Sequence, residues 1–85
     1  MEHFIIINDW KDCYEGDVTI LGVEHSLEEA KHIFQKELIE EKKRAKNRDW
    51  DIVEETDVCF IAECEEEWSG NYTKLYIQKS IKGDD

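Results

Sequence analysis

One local signal divides this chain and limits what the rest can become. Ser26-Leu27-Glu28-Glu29 has the form of a capping box, in which the Ser26 hydroxyl accepts from the Glu29 backbone N–H and the Glu29 carboxylate reaches back to the Ser26 N–H. From there Leu27, Ala30, Phe34, Leu38 and Ala45 recur at helical spacing, with Ile33 widening the stripe. A single helix is predicted from Leu27 to about Lys46 or Asn47. Glu28 and Glu29 fall in its first turn, and Lys42, Lys43, Arg44 and Lys46 near its last, so both ends complement the helix macrodipole. A helix with one apolar stripe must bury that stripe against something, and the segments on either side of it read as strands.

His3 to Asn8 is rich in β-branched and aromatic residues and predicts a first strand, closed by a polar turn at Asn8-Asp9. Val18 to Val23 predicts a second, antiparallel to the first across the loop that contains Gly16. After the helix, Ile52-Val53 and Val58 to Cys64 read as one long strand, bent or bulged near Glu55-Thr56-Asp57. Along it Val58, Phe60, Ala62 and Cys64 share one face, and Cys59, Ile61 and Glu63 the other. Glu65-Glu66-Glu67 and Ser69-Gly70-Asn71 form a loop, and Lys74 to Ile81 a last strand with Leu75, Ile77 and Ile81 toward the core. The predicted fold is α+β: a four-stranded, mostly antiparallel sheet in the order β-β-α-β-β, with one long helix across one face and the other face partly wet.

The 85 residues make one domain, 1–85, of a size that buries roughly 60% of the unfolded chain's surface. Runs such as Phe4-Ile5-Ile6-Ile7 separate it from disordered acidic tails. No apolar run approaches the ~20 residues that span a bilayer, and the N-terminus lacks the basic start and apolar stretch of a signal peptide. The three cysteines, Cys13, Cys59 and Cys64, form no C-x-x-C pair and leave one over in any disulfide scheme. A soluble protein of the reducing cytoplasm is expected.

Charge says the most about partners. Residues 31–48 hold seven basic side chains against three acidic ones, while the chain as a whole carries −11. A field of that size steers association and selects partners. It argues against direct binding to nucleic acid or an anionic membrane, both of which depend on Lys and Arg. Basic protein surfaces and cations remain.

The acids gather at Asp9, Asp12, Glu15 and Asp17, at Asp49, Asp51, Glu54, Glu55 and Asp57, and at Glu63, Glu65, Glu66 and Glu67. Such groups can present carboxylates at intervals like those of backbone phosphates, or they can simply keep a small domain soluble; the charge here exceeds what solubility requires. Each tryptophan adjoins an acid, and Trp and Tyr are the usual anchors of interfaces. Trp50 is read as closing the core beneath the helix end, Trp10 and Trp68 as anchors. The candidate partner-binding set is therefore Asp9, Trp10, Asp12, Asp49, Asp51, Glu54, Glu55, Glu65, Glu66, Glu67 and Trp68. Glu65, Glu66 and Glu67 are the candidates for a divalent cation, although the D-x-[DN]-x-[DN]-G loop is absent and the histidines and cysteines lack zinc spacing. Neither a nucleophile elbow, a phosphate-cradling loop nor H-E-x-x-H occurs, so neither catalysis nor an obligatory cofactor is expected.

Asn8-Asp9-Trp10 after an apolar strand, Ile20-Leu21-Gly22-Val23 leading to Ser26-Leu27-Glu28-Glu29-Ala30, and Lys74-Leu75-Tyr76-Ile77 near the end together resemble the small acidic proteins of bacteria and their mobile elements. In size and charge the chain is similar to phage-encoded inhibitors of the anti-CRISPR and anti-restriction type. That resemblance implies a stoichiometric protein that binds a nucleic-acid-processing enzyme and blocks loading of its nucleic acid. It brings no site residue with it. The alternative is a cytoplasmic accessory protein that binds through its exposed sheet face and Trp loops.

Overall fold

The computed structural model describes residues 2–12, 14–64 and 71–81. Five strands and one helix follow in the order β1 (Glu2–Lys11), β2 (Gly16–Glu24), α1 (Leu27–Asn47), β3 (Asp51–Glu55), β4 (Cys59–Glu63) and β5 (Tyr72–Ile81). All pair antiparallel in one sheet of order β2-β1-β5-β4-β3. The fold is α+β with one helix on an antiparallel sheet, as the sequence predicts, but the sheet has five strands rather than four.

The additional strand comes from the segment read as one bent strand. Thr56 turns the chain back on itself: its N–H donates to the Cys59 carbonyl at 2.7 Å, and its hydroxyl oxygen accepts from the N–H groups of Val58 at 3.2 Å and Cys59 at 2.9 Å. The side chain thus does locally what a ladder bond would do, which is how Ser and Thr favour turns. Asp57 at the tip is tied to Lys31 of α1 at 2.8 Å. Likewise Asn8 does not end β1, which runs on to Lys11 between β2 and β5.

Ala30, Phe34, Leu38 and Ala45 of α1 pack on Ile6, Phe60, Ala62 and Leu75 of the sheet, with Phe4, Leu21, Ile33, Trp50 and Ile77 around them. The Ile81 side chain lies outside the described residues. The helix rides close over β2, where a Cβ added at Gly22 would stand 2.9 Å from Ile33 Cδ1.

A polar chain runs through this core. Asn8 Nδ2 donates to Thr73 Oγ1 at 3.2 Å, Thr73 Oγ1 donates to Glu41 Oε2 at 3.1 Å, and Arg44 Nη1 donates to Glu41 Oε1 at 2.9 Å. Glu41 is fully buried, and burial pushes its carboxyl above the usual range against the opposing pull of Arg44 and the Thr73 hydroxyl. Position 41 lies on the apolar stripe between Leu38 and Ala45, so the helix period puts this acid inside.

Candidate functional site

The end of β1, the starts of β2, β3 and β5, the end of β4 and the C-terminus of α1 all meet at one end of the molecule. Trp10 and Trp50 stand there beside Asp12, Asp49 and Asp51. A shallow cleft of about 460 Å³ is lined by Trp10, Trp50, Arg44, Arg48, Asp12, Glu15 and Thr73, and a second of about 550 Å³ lies across Trp50 toward Lys42, Lys46, Asp49 and Asp51. The Arg48 guanidinium sits 5.2 Å from the Trp50 ring. Trp50 also packs on the core, matching its expected role as a closing residue.

The basic helix end and the acidic loops are therefore neighbours in space, although the sequence separates them. Several acids serve the fold. The Asp12 carboxylate accepts from the N–H groups of Tyr14 and Glu15 at 2.8 Å each; these bonds and the Arg48 charge hold it below the usual range. Glu55 points to the helix side and pairs with Lys42 at 3.2 Å, and Asp57 is held low by its hydrogen bond and charge contact with Lys31.

Among the described residues, a further group of carboxylates lies on the sheet face opposite the helix. Strand alternation puts Asp9, Asp51, Glu54 and Glu63 there, because their ladder partners share that face: Asp9 with Lys74, Asp51 with Glu63, and Glu54 with Ile61. Asp9 also accepts from the Tyr72 hydroxyl at 3.1 Å, which raises the phenol's pKa. Glu54 borders the Cys59 thiol; burial first, then hydrogen bonding and charge from Glu54, push that thiol up to about 11. Cys59 is a neutral thiol at physiological pH, the wrong state for a nucleophile.

Three acids, Asp51, Glu63 and Asp49, sit where local physics disfavours them. Asp51 and Glu63 face each other directly across the β3–β4 ladder, a like-charge pair. Asp49 holds φ at 55° in the turn that ends α1, where its N–H donates to Lys46 O at 3.2 Å and the Trp50 N–H donates to Ala45 O at 2.9 Å. That bonding is a Schellman motif, whose left-handed position favours glycine and whose place at a helix C-terminus favours positive charge.

Of the expected partner-binding residues, the structure brings Asp9, Asp51 and Glu54 onto one face, puts Asp49 in the cleft with Lys42 and Lys46, and puts Trp10 and Asp12 in the neighbouring cleft. It directs Glu55 elsewhere. Glu65, Glu66, Glu67 and Trp68 lie outside the described residues. Glu63 joins the face without having been in the expected set; its alternation with Cys59 and Ile61 is the signal that identifies it. Among the described residues, no group of three or more His, Cys, Asp or Glu is arranged to hold a metal ion, and no helix is long and apolar enough to cross a membrane. Comparison of the chain with protein-family models, with curated proteins and with solved structures returns no match.

Proposed function

We propose that this protein is a non-enzymatic acidic binding module that covers the basic, polynucleotide-binding surface of a nucleic-acid-processing enzyme, as inhibitors of the anti-CRISPR and anti-restriction type do. The observation that carries this reading is the placing of Asp51 opposite Glu63 and of Asp49 at φ 55° after the last turn of α1, positions at which a carboxylate is expected to cost stability. Charge added for solubility alone has many exposed positions that carry no such cost. Asp9 and Glu54 share the face of Asp51 and Glu63, so the carboxylates there span β1, β3 and β4 rather than one loop.

The test is capture of the partner at low salt with the tagged protein, followed by release with salt and with polynucleotide. Attraction between carboxylates and Lys or Arg weakens as the Debye length falls from about 10 Å at 0.1 M to about 3 Å at 1 M. Recovery of a nucleic-acid-binding enzyme, displaced both by salt and by its own substrate strand, supports the reading. A partner that survives high salt and keeps its polynucleotide contradicts it, and leaves the accessory-protein reading with the Trp10–Trp50 cleft as its interface.

A further inference from the structure

The two edges of the sheet differ in length and in the regular run they offer. β3 has five residues, is irregular between Ile52 and Glu54, and carries Asp51, Glu54 and Glu55. Shortness, a bulge and charge are the usual means of keeping an edge from pairing with another strand. β2 has nine residues and no Lys, Arg or Pro among them. Its Val18, Ile20 and Val23 are 58%, 63% and 51% exposed. The one irregularity in its pairing with β1 falls at Leu21, which leaves Gly16–Ile20 as a regular run that no strand among the described residues pairs on its outer side, the Val18 N–H donating to Asp17 Oδ1 at 2.8 Å. Ile20 continues inward on the face opposite the helix as one cross-strand row with Ile7, Tyr76 and Cys59.

We propose that the β2 edge receives an extended segment of a partner protein as a sixth strand, with apolar side chains of that segment seated on Val18 and Ile20 and a Lys or Arg where it passes Asp17 and Glu15. The unpaired edge requires a strand, since backbone pairing supplies the affinity in this mode and alternate side chains the specificity. The charge requires a basic one: the hairpin loop and the start of β2 hold Asp12, Glu15 and Asp17, and Glu24 ends the strand. A second copy of this chain fits poorly. Two chains of −11 each repel one another. This surface lies at the opposite edge of the sheet from Asp51 and Glu54 and does not depend on nucleic-acid mimicry.

The experiment is selection of a displayed library of random short peptides on the immobilised full chain, with a synthetic copy of the most enriched peptide tested in solution. Enriched peptides should alternate apolar residues and carry Lys or Arg toward one end. The synthetic peptide should slow amide hydrogen exchange within Gly16–Ile20. Val18→Lys with Ile20→Lys, both at exposed positions, should weaken its binding roughly tenfold or more while circular dichroism and the melting temperature stay as in the parent chain. No enrichment, enriched peptides without alternation or basic residues, or binding that survives the double substitution would overturn the proposal. So would sedimentation equilibrium showing a dimer that the same substitutions dissolve, because the edge would then belong to a second copy.

Discussion

Asp51 and Glu63 oppose one another across the β3–β4 ladder on the sheet face opposite the helix. Directly opposed like charges destabilise a strand pair by some tenths of a kcal/mol, up to about 1 kcal/mol. Glu63→Gln should therefore stabilise the protein by about 0.5 kcal/mol, and Asp51→Asn by a similar amount. The double variant should gain less than the sum of the two, because either change alone removes the repulsion. Chemical denaturation at low salt reads this directly; strictly additive gains would mean that the two carboxylates do not interact.

Asp49 makes the second case. At φ 55° after the last turn of α1 it occupies a position where glycine avoids the Cβ penalty and where a negative charge opposes the helix dipole. Asp49→Gly should raise stability by about 0.5–1 kcal/mol. A loss of stability would show that the carboxylate supports the turn. In that event Asp49 could no longer count as an acid kept for a partner.

Ser26 caps the other end of the same helix. Its Oγ accepts from the Glu29 N–H at 3.2 Å with extended backbone at the cap, so the hydroxyl half of the expected capping box is in place. Ser26→Ala should cost on the order of 1 kcal/mol in thermal or denaturant unfolding. An unchanged midpoint would place the start of the helix elsewhere.

Glu41 gives a pH signature. Burial raises its folded-state pKa above the ordinary carboxylate value, so the folded state holds its proton more tightly than the unfolded chain does. Its contribution to stability is thus greatest below the ordinary carboxylate pKa and is lost as pH rises through the raised value. Glu41→Gln, which imitates the protonated acid, should be neutral or stabilising at pH 7, and its difference from the parent should close as the pH is lowered toward 4. Glu41→Ala should instead cost about 2–4 kcal/mol, because it leaves a cavity beside Thr73 and removes that hydroxyl's acceptor. Denaturant melts of both variants across that range check the sign; a Gln variant less stable than the parent at pH 7 would mean that Arg44 outweighs burial.

The helix, its N-cap and the core faces of β4 and β5 were legible because each rests on local spacing: the 3.6-residue stripe from Ala30 to Ala45, the Ser26 hydroxyl, and the alternation of Phe60, Ala62 and Leu75. What escaped the sequence depends on partners far along the chain. Asn8 reads as a turn former until Thr73 and the Lys74 carbonyl are placed beside it. The Glu55-Thr56-Asp57 reversal is stabilised by a threonine hydroxyl and by Lys31 of the helix, neither of which has a glycine or proline signature. For the candidate site, alternation assigned Glu63 to the face of Cys59 and Ile61, but only the β3–β4 register sets Asp51 opposite it and Glu54 on the same face. The approach of the basic helix end to Asp12 and Glu15 follows from topology and is not visible in charge counts.

The most direct measurement of the mimicry proposal is a competition between this protein and polynucleotide for the partner it captures. Labelled polynucleotide should leave the partner as this protein is added, with mutual exclusion. A variant carrying Asp51→Asn, Glu54→Gln and Glu63→Gln should displace it at least roughly tenfold less well, mainly through slower association. A ternary complex in which partner, polynucleotide and this protein remain bound together would contradict the account.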